Sequence, residues 1–370
     1  MANFKLVTAN EKNVWSTKYT AEYVRESGFL PYMGTSSTAI IRMDKQLSGE
    51  NGAVIHFPYF SKLSGAGVTG GTALMGAEEA LGNYSTAVRA SLRRNAVAIT
   101  ESETFKTELD VANVARESLK NWSAENLRND IITALGSVIV PGASDGNGGL
   151  LEDTYVSYTA ASAGQRNTYL VANTDRILFG SAKANSVSGV MSTALATVAA
   201  SQKLSAGVIN MAKTMAKLSA PFKITPYKSD ATAGREWFTL FVGPEGFRDL
   251  SVDPIIYAAN QHARAKDVDT NPIFQSGDLI YNGIIIREIP EMPLVGNVGA
   301  SSASVGQAFL CGQGAVAVAY SKMAEPRVQQ FDYGHQNNCA IMEIRGQAKM
   351  SAAGVQTGCV TLYHAAAMDA

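Results

Sequence analysis

The sequence predicts an α+β fold, and three observations carry that prediction. The first is a helical stripe from residue 103 to 136 that no Pro or Gly interrupts before Gly136. The second is a pair of strands, 53–60 and 84–100, on either side of a glycine-rich loop. The third is a run of short apolar strands in the C-terminal half, two of them joined by Asn282-Gly283, the strongest short hairpin signal. The elements follow in chain order.

Residues 1–50 carry Trp15, Tyr19, Tyr23, Phe29 and Tyr32 without a strong period. Such a segment lies along other surfaces instead of folding by itself, either as an arm on a neighbouring subunit or as a wrap on its own chain. The strand Ala53–Phe60 contains Pro58, which cannot donate to a ladder and points to an edge. Gly65-Ala66-Gly67-Val68-Thr69-Gly70 then spells G-x-G-x-x-G, the flag of a dinucleotide-binding turn. Its context is wrong. A phosphate-binding turn opens a helix, and an acid about 20 residues on meets the ribose. Here a further glycine follows, and Ser85 to Ser91 holds no acid. The returning strand carries Arg89, Arg93 and Arg94 but little apolar bulk, so the hairpin is marginal alone and needs a partner surface or its own domain beneath it.

Thr100 and Glu103 have capping-box spacing. From there Phe105, Leu109, Ala112, Leu119, Trp122, Leu127, Ile131 and Leu135 recur mostly three or four apart. The spacing predicts one helix of ~32 residues, ~48 Å long. Gly136 is the expected C-cap. Residues 141–149 form a loop whose Asp145-Gly-Asn147-Gly opens like a calcium loop but lacks the later ligands and the terminal Glu. Residues 154–180 read as β-rich. A second helix is expected over about 204–218, with Pro221 beyond its end. Further strands are expected at 237–242, 315–320, 339–344 and 359–363, and a mobile loop at 294–307.

Composition narrows the function. The chain has 370 residues, 46% hydrophobic and 17% charged, enough to bury a sizeable core. With 31 basic and 32 acidic residues, its net charge of −1 attracts neither nucleic acid nor an anionic membrane globally. No apolar run reaches the ~18 residues of a membrane span, and no signal-peptide core opens the chain. Cys311, Cys339 and Cys359 lie far apart without metal-ligand spacing, which argues against zinc and fits a reducing compartment. The histidines, His56, His262, His335 and His364, sit in unrelated contexts. No catalytic, cofactor or metal site is expected from these residues.

Several blocks resemble a known family. Val14-Trp15-Ser16 with Phe29-Leu30-Pro31-Tyr32-Met33-Gly34 resembles the opening of one branch of tailed-phage major capsid proteins. That branch is typified by the coliphage N-four head protein. Gly52–Phe57, Leu63–Gly70 and Leu74–Glu79 are similar to its next block. Phe331-Asp332-Tyr333-Gly334 with Ile344-Arg345-Gly346 is similar to its C-terminal block. The likeness is collinear over most of the chain and weakest at 145–200 and 290–310.

The resemblance implies the Hong Kong 97 phage-type capsid fold. It divides the chain into an N-terminal arm (1–50), an extended loop (51–100), a peripheral domain with a spine helix at about 103–136 and an intervening segment (101–220), an axial domain (221–325) and a return to the peripheral domain (326–370). It implies a homo-oligomer of pentons and hexons, an icosahedral shell enclosing double-stranded DNA that it touches without sequence specificity, and assembly in the host cytoplasm. The expected partners are a separate scaffolding protein, a portal and, optionally, a decoration protein. The subunit-interface candidates are Trp15, Tyr19, Gly65, Gly67, Gly70, Arg89, Arg93 and Arg94. In this reading the glycines serve backbone freedom at a loop tip. The alternatives are a surface-layer or adhesin-like structural protein, or a nucleotide-binding oxidoreductase, which needs strand, glycines and helix in succession at 53–80.

Overall fold

The computed structural model describes residues 28–45, 54–106 except 64, 66, 72, 73, 77 and 80, then 110–142, 152–186, 189–230, 235–263 and 278–367. Two compact units result. Among the described residues the smaller holds Leu92–Leu127 and Lys322–Ile344, and the larger holds the rest.

In chain order the first elements are β1 (Met33–Gly34), β2 (Ile41–Asp44), β3 (Val54–Phe60), β4 (Asn83–Arg89) and β5 (Ser91–Thr100). Next come α1 (Glu101–Lys106), α2 (Val111–Leu135), β6 (Val138–Val140), β7 (Thr154–Val156), α3 (Ala163–Ala172), β8 (Ile177–Phe179), α4 (Met191–Leu195) and α5 (Ala206–Leu218). The C-terminal half adds β9 (Lys228–Asp230), β10 (Arg235–Val242), α6 (Pro244–Val252), α7 (Pro254–Ala263), β11 (Leu279–Tyr281), β12 (Ile284–Glu288) and β13 (Val305–Cys311). Last are β14 (Val316–Phe331), β15 (Gln336–Lys349), β16 (Ser351–Ala352), β17 (Val355–Gln356) and β18 (Cys359–Ala365).

The larger unit is built on a sheet of order β11-β12-β10-β13-β18-β8, with β9 paired to β10. Strands β8, β13 and β18 are buried along their whole length, on both faces, as the covered part of a sheet requires. One face packs Leu240, Leu310, Val360 and Leu362 against Val208, Ile209, Ala212 and Met215 of α5. A second core joins Ile177, Phe179 and Tyr363 to Tyr169 and Leu170 of α3 and to Leu195 of α4. The β11–β12 turn is the expected hairpin. Asn282 and Gly283 both take left-handed φ, 45° and 70°, as a type I′ turn demands. At Gly283 a Cβ would stand 2.7 Å from the Glu236 carbonyl oxygen, so close approach also requires glycine.

In the smaller unit Leu119 and Ala115 of α2 pack on Ile99, Cys339 and Ile341. Ser123 Oγ there donates to the buried Glu343 carboxylate at 3.1 Å.

Several expectations change. The long helix of 103–136 is observed as α1 and then α2, with residues 107–109 outside the described set. The 25-residue α2 begins after Asp110. Asp110 Oδ1 accepts from Asn113 N–H at 3.1 Å, and the Asp110 carbonyl accepts from Val114 N–H at 3.2 Å. Asp110 is thus an N-cap inside the expected helix. Phe105, expected on the apolar stripe, is 92% exposed on α1. Gly136 follows α2, and its φ is not left-handed; its N–H bonds Ile132 O, and Gln307 Oε1 would lie 3.3 Å from a Cβ. It therefore serves packing more than an αL cap.

The β-rich reading of 154–180 is half right. Strands β7 and β8 flank α3, which opens on a capping box. Gln165 N–H donates to Ser162 Oγ at 3.3 Å, and Ser162 N–H donates to Gln165 Oε1 at 2.9 Å. Ser162-Ala-Gly-Gln165 carried that signal in sequence. The expected mobile loop at 294–307 is tied down. Val295 N–H bonds Val305 O at 2.9 Å, Val305 N–H bonds Gly296 O at 3.0 Å, and Ala300 N–H bonds Val198 O at 2.9 Å; from Val305 onward the chain is β13. Small residues permit that close folding as readily as they permit motion. The calcium-like stretch at 145–149 lies outside the described residues.

Candidate assembly surfaces

The hairpin β3–β4 is antiparallel, with Val54 opposite Arg89 and Phe60 opposite Asn83. Its base is anchored. Phe57 and Val88 are buried against Ala317, Ala319, Ala348 and Met350, and Thr86 Oγ1 donates to Ser351 O at 2.9 Å. Pro58 stands opposite Ser85 in this two-stranded sheet, where a missing donor costs little. Tyr59 and Tyr84 both meet the Phe222 ring edge-on, at 5.2 and 5.3 Å.

Beyond Phe60 the described residues form no helix before β4, so the glycine motif lacks the phosphate-binding helix N-terminus that the oxidoreductase reading requires. Gly67 and Gly70 take φ of 69° and 72°, and a Cβ on either meets nothing within 4 Å. They are glycines for backbone conformation, not for packing. Gly65 N–H donates to Glu79 Oε2 at 2.7 Å across the loop. Leu63, Leu74, Met75 and Leu81 are all exposed, Met75 by 90%. No described residue of their own chain buries these groups.

The candidate arginines separate. Arg89, at the end of β4, is paired within the chain: Nη2 lies 3.4 Å from Glu152 Oε2, while His56 Nε2 lies 3.3 Å from Glu152 Oε1. Arg93 and Arg94 are consecutive on β5 and so point to opposite faces of the strand. Arg94 is exposed and Arg93 half-buried. Of the aromatic residues expected in an arm, Phe29 and Tyr32 are buried on their own chain. Their rings meet Phe241 at 4.9 and 5.4 Å. Burial, with Asp278 beside it, pushes the Tyr32 phenol up to about 12. Trp15 and Tyr19 lie outside the described residues.

Two features of the smaller unit were not legible in sequence. At the turn between β14 and β15, Asp332 and Tyr333 both take left-handed φ, 48° and 54°, and Tyr333 is wholly exposed. Two consecutive non-glycine residues in that region are strained, and such strain concentrates at working surfaces. A cleft of about 310 Å³ is lined by the apolar Leu119, Pro326, Val328 and Ile341 and by the basic Arg116, Lys120 and Arg327. Its residues come from separate stretches of chain, which no local spacing reveals.

Among the described residues no three His, Cys, Asp or Glu side chains cluster to hold a metal, and no helix is long and apolar enough to cross a membrane.

The fold is matched by known proteins. The profile of the phage capsid protein family matches residues 3–368, and the chain belongs to that family. A major capsid protein of Pseudomonas phage KPP25 is 25% identical over 362 residues, covering 94% of this chain and 91% of that one. The capsid asymmetric unit of cyanophage Pam1 superposes with a TM-score of 0.89 at 38% identity, covering both chains completely. The capsid of Ralstonia phage GP4 shares the fold, with a TM-score of 0.75 at 19% identity over the full length of both. The protein is a major capsid protein of a tailed phage, a structural subunit that is part of the virion and is repeated to form its shell.

Proposed function

We propose that this subunit builds its shell through the Hong Kong 97 phage-type capsid fold, in the branch typified by the coliphage N-four head protein. Residues 1–50 act as the arm and 51–100 as the extended loop. Residues 101–220 and 326–370 make the peripheral domain, and 221–325 the axial domain of pentons and hexons. The shell encloses double-stranded DNA, which its inner face meets without sequence specificity, in keeping with a net charge of −1. A separate scaffolding protein guides assembly, a portal occupies one vertex, and a decoration protein is an optional further partner. The subunit acts by contact and not by catalysis.

One observation carries the reading. The tip of the β3–β4 hairpin displays Leu63, Leu74, Met75 and Leu81 to solvent on a backbone held open by Gly67 and Gly70. A solvated apolar tip has no reason to persist in a monomer, whereas burial on a neighbour gains ~25 cal/mol per Å². Obligate contacts commonly bury more than ~2,000 Å². The test is sedimentation velocity and negative-stain microscopy of the chain co-expressed with its scaffold. Leu74→Asp with Met75→Asp should leave the circular dichroism of the subunit unchanged and remove closed particles. Normal particle yield from that variant would sink the loop's proposed role. Arg93→Glu with Arg94→Glu tests the arginines in the same way, since like charges facing across an interface cost several kcal/mol.

A further inference from the structure

We propose that Cys311 and Cys359 form a covalent modification site: a buried thiol pair that closes to a cystine across β13 and β18 when a small disulfide oxidant reaches it.

The two cysteines are opposite each other in the β13–β18 register, and both are free and buried. The hydrogen bonds of this ladder fix which kind of pair they make. Gly312 N–H donates to Gly358 O at 2.9 Å, and Ala366 N–H donates to Ser304 O at 2.9 Å. Both bonds lie an odd number of residues from Cys311, so Cys311 and Cys359 are a non-hydrogen-bonded pair. In such pairs the Cα atoms approach to about 4.5 Å and opposite side chains come closest. A disulfide accepts Cα separations of about 4.4–6.8 Å. The two side chains share one face of the sheet, because directly opposite residues always do.

The register cannot slide. A Cβ at Gly312 would stand 2.1 Å from Thr225 O, and one at Gly358 would stand 2.4 Å from Gly314 O. A slip by one residue would bring side chains into those positions and turn the cysteines to opposite faces.

A cation completes the site. The buried Lys349 ammonium donates to Ser137 O at 3.0 Å, Tyr169 Oη at 3.1 Å and Gln356 Oε1 at 3.3 Å, none of them a carboxylate. Burial pushes both thiols up; the Lys349 charge opposes that at each, as Arg176 does at Cys359, while burial pulls Lys349 itself down. Cys339 belongs to the smaller unit and serves as an internal control.

The chemistry balances. The Cys359 thiolate attacks one sulfur of glutathione disulfide, which breaks that S–S bond and releases one glutathione. The Cys311 thiolate attacks the Cys359 sulfur of the mixed disulfide, the 311–359 bond forms, and the second glutathione leaves. Two electrons pass from the cysteines to the glutathione, and the two cysteine protons end on its thiols. A virion passes from a reducing cell to an oxidising exterior, where such a link persists.

The test refolds the full chain from urea in mixtures of reduced and oxidised glutathione, quenches with acid, unfolds it again in urea with iodoacetamide to block every remaining thiol, and maps the peptides. The expected product weighs two hydrogens less than the reduced chain before alkylation and joins 311 to 359. It leaves Cys339 alkylated, melts several degrees higher, and is reversed by dithiothreitol. Cys311→Ser should remove the link, and Cys339→Ser should not. A refolded chain with native circular dichroism whose Cys311 and Cys359 are alkylated at every glutathione ratio would overturn the proposal. So would links that go to Cys339. The mapping of the unsubstituted chain decides the matter even if a variant fails to fold.

Discussion

The sheet β10-β13-β18 and the hairpin β3–β4 belong to one unit, yet they differ in what covers their apolar groups. In the sheet Phe238, Leu240, Phe309 and Leu362 are closed off on both faces by the same chain. In the hairpin cover ends where Tyr59 and Tyr84 meet Phe222, and beyond it Leu63, Leu74, Met75 and Leu81 carry their side chains into water. The first region is stabilised by folding alone. The second is stable only at its base, and what its tip can gain depends on a second molecule. Substitutions in the sheet should therefore be felt by the isolated subunit, and substitutions at the tip only by the assembly.

The largest expected effect tests the sheet. Phe241→Ala removes a fully buried ring that meets Phe29 and Tyr32, and should cost the subunit about 3–5 kcal/mol in urea denaturation. A loss below ~1 kcal/mol would mean that residues 28–32 do not close this core. Leu127→Pro comes next. It lies within α2, removes a backbone donor and clashes with the preceding turn, at ~3 kcal/mol or more. Soluble variant that assembles normally would break the picture of α2 as one structural helix.

The third prediction is a pH dependence of the packed sheet. Burial pulls the imidazole of His364 below its ordinary 6.5. Gly246 and Gly306 crowd its ring edge, where a Cβ on either would come within 2.9 Å of Cε1. Asp249 and Glu245 oppose the shift without reversing it. The unfolded chain therefore binds the proton more readily than the folded one. His364 favours the fold above pH 6.5, and that stability is lost as pH falls through 6.5 toward the lower folded value. The midpoint of urea unfolding should drop between pH 7.5 and 5.5, and His364→Gln should reduce the slope. An unchanged slope in the variant would assign the acid sensitivity elsewhere.

Smaller effects sharpen the hairpin side. Gly70→Val meets no neighbour but must hold a left-handed backbone, at about 1–2 kcal/mol locally. The loop should rearrange, with little change in the melting temperature of the body. Leu74→Ser with Met75→Ser is the smallest: subunit stability should stay within ~0.5 kcal/mol while particle yield falls. A stability loss of several kcal/mol would show that the tip packs on its own chain after all.

Local chemistry was legible wherever the signal was local. The Asn282-Gly283 turn, the α5 stripe and the strands expected at 237–242 and 359–363 follow from period and turn residues, and the strands are observed, slightly longer, as β10 and β18. The Asp110 cap is not legible because apolar spacing continues on both sides of it, and periodicity does not register a cap within a stripe. The α3 helix was missed although its Ser162–Gln165 box was readable, because short helices between strands carry too few periods to count.

The sequence by itself determined the α+β class, the glycine loop between two strands and, through a handful of short blocks, a resemblance to capsid proteins. These rest on neighbours in the chain, whose geometry is set by backbone sterics and side-chain alternation. Tertiary structure alone decided that Phe29 and Tyr32 belong to a core, that Arg89 meets Glu152, and that Cys311 faces Cys359. Each of these is a pairing between residues far apart in sequence. Only the closing of the chain on itself selects which distant partners meet, because burial is gained by the whole sheet and not by any one segment.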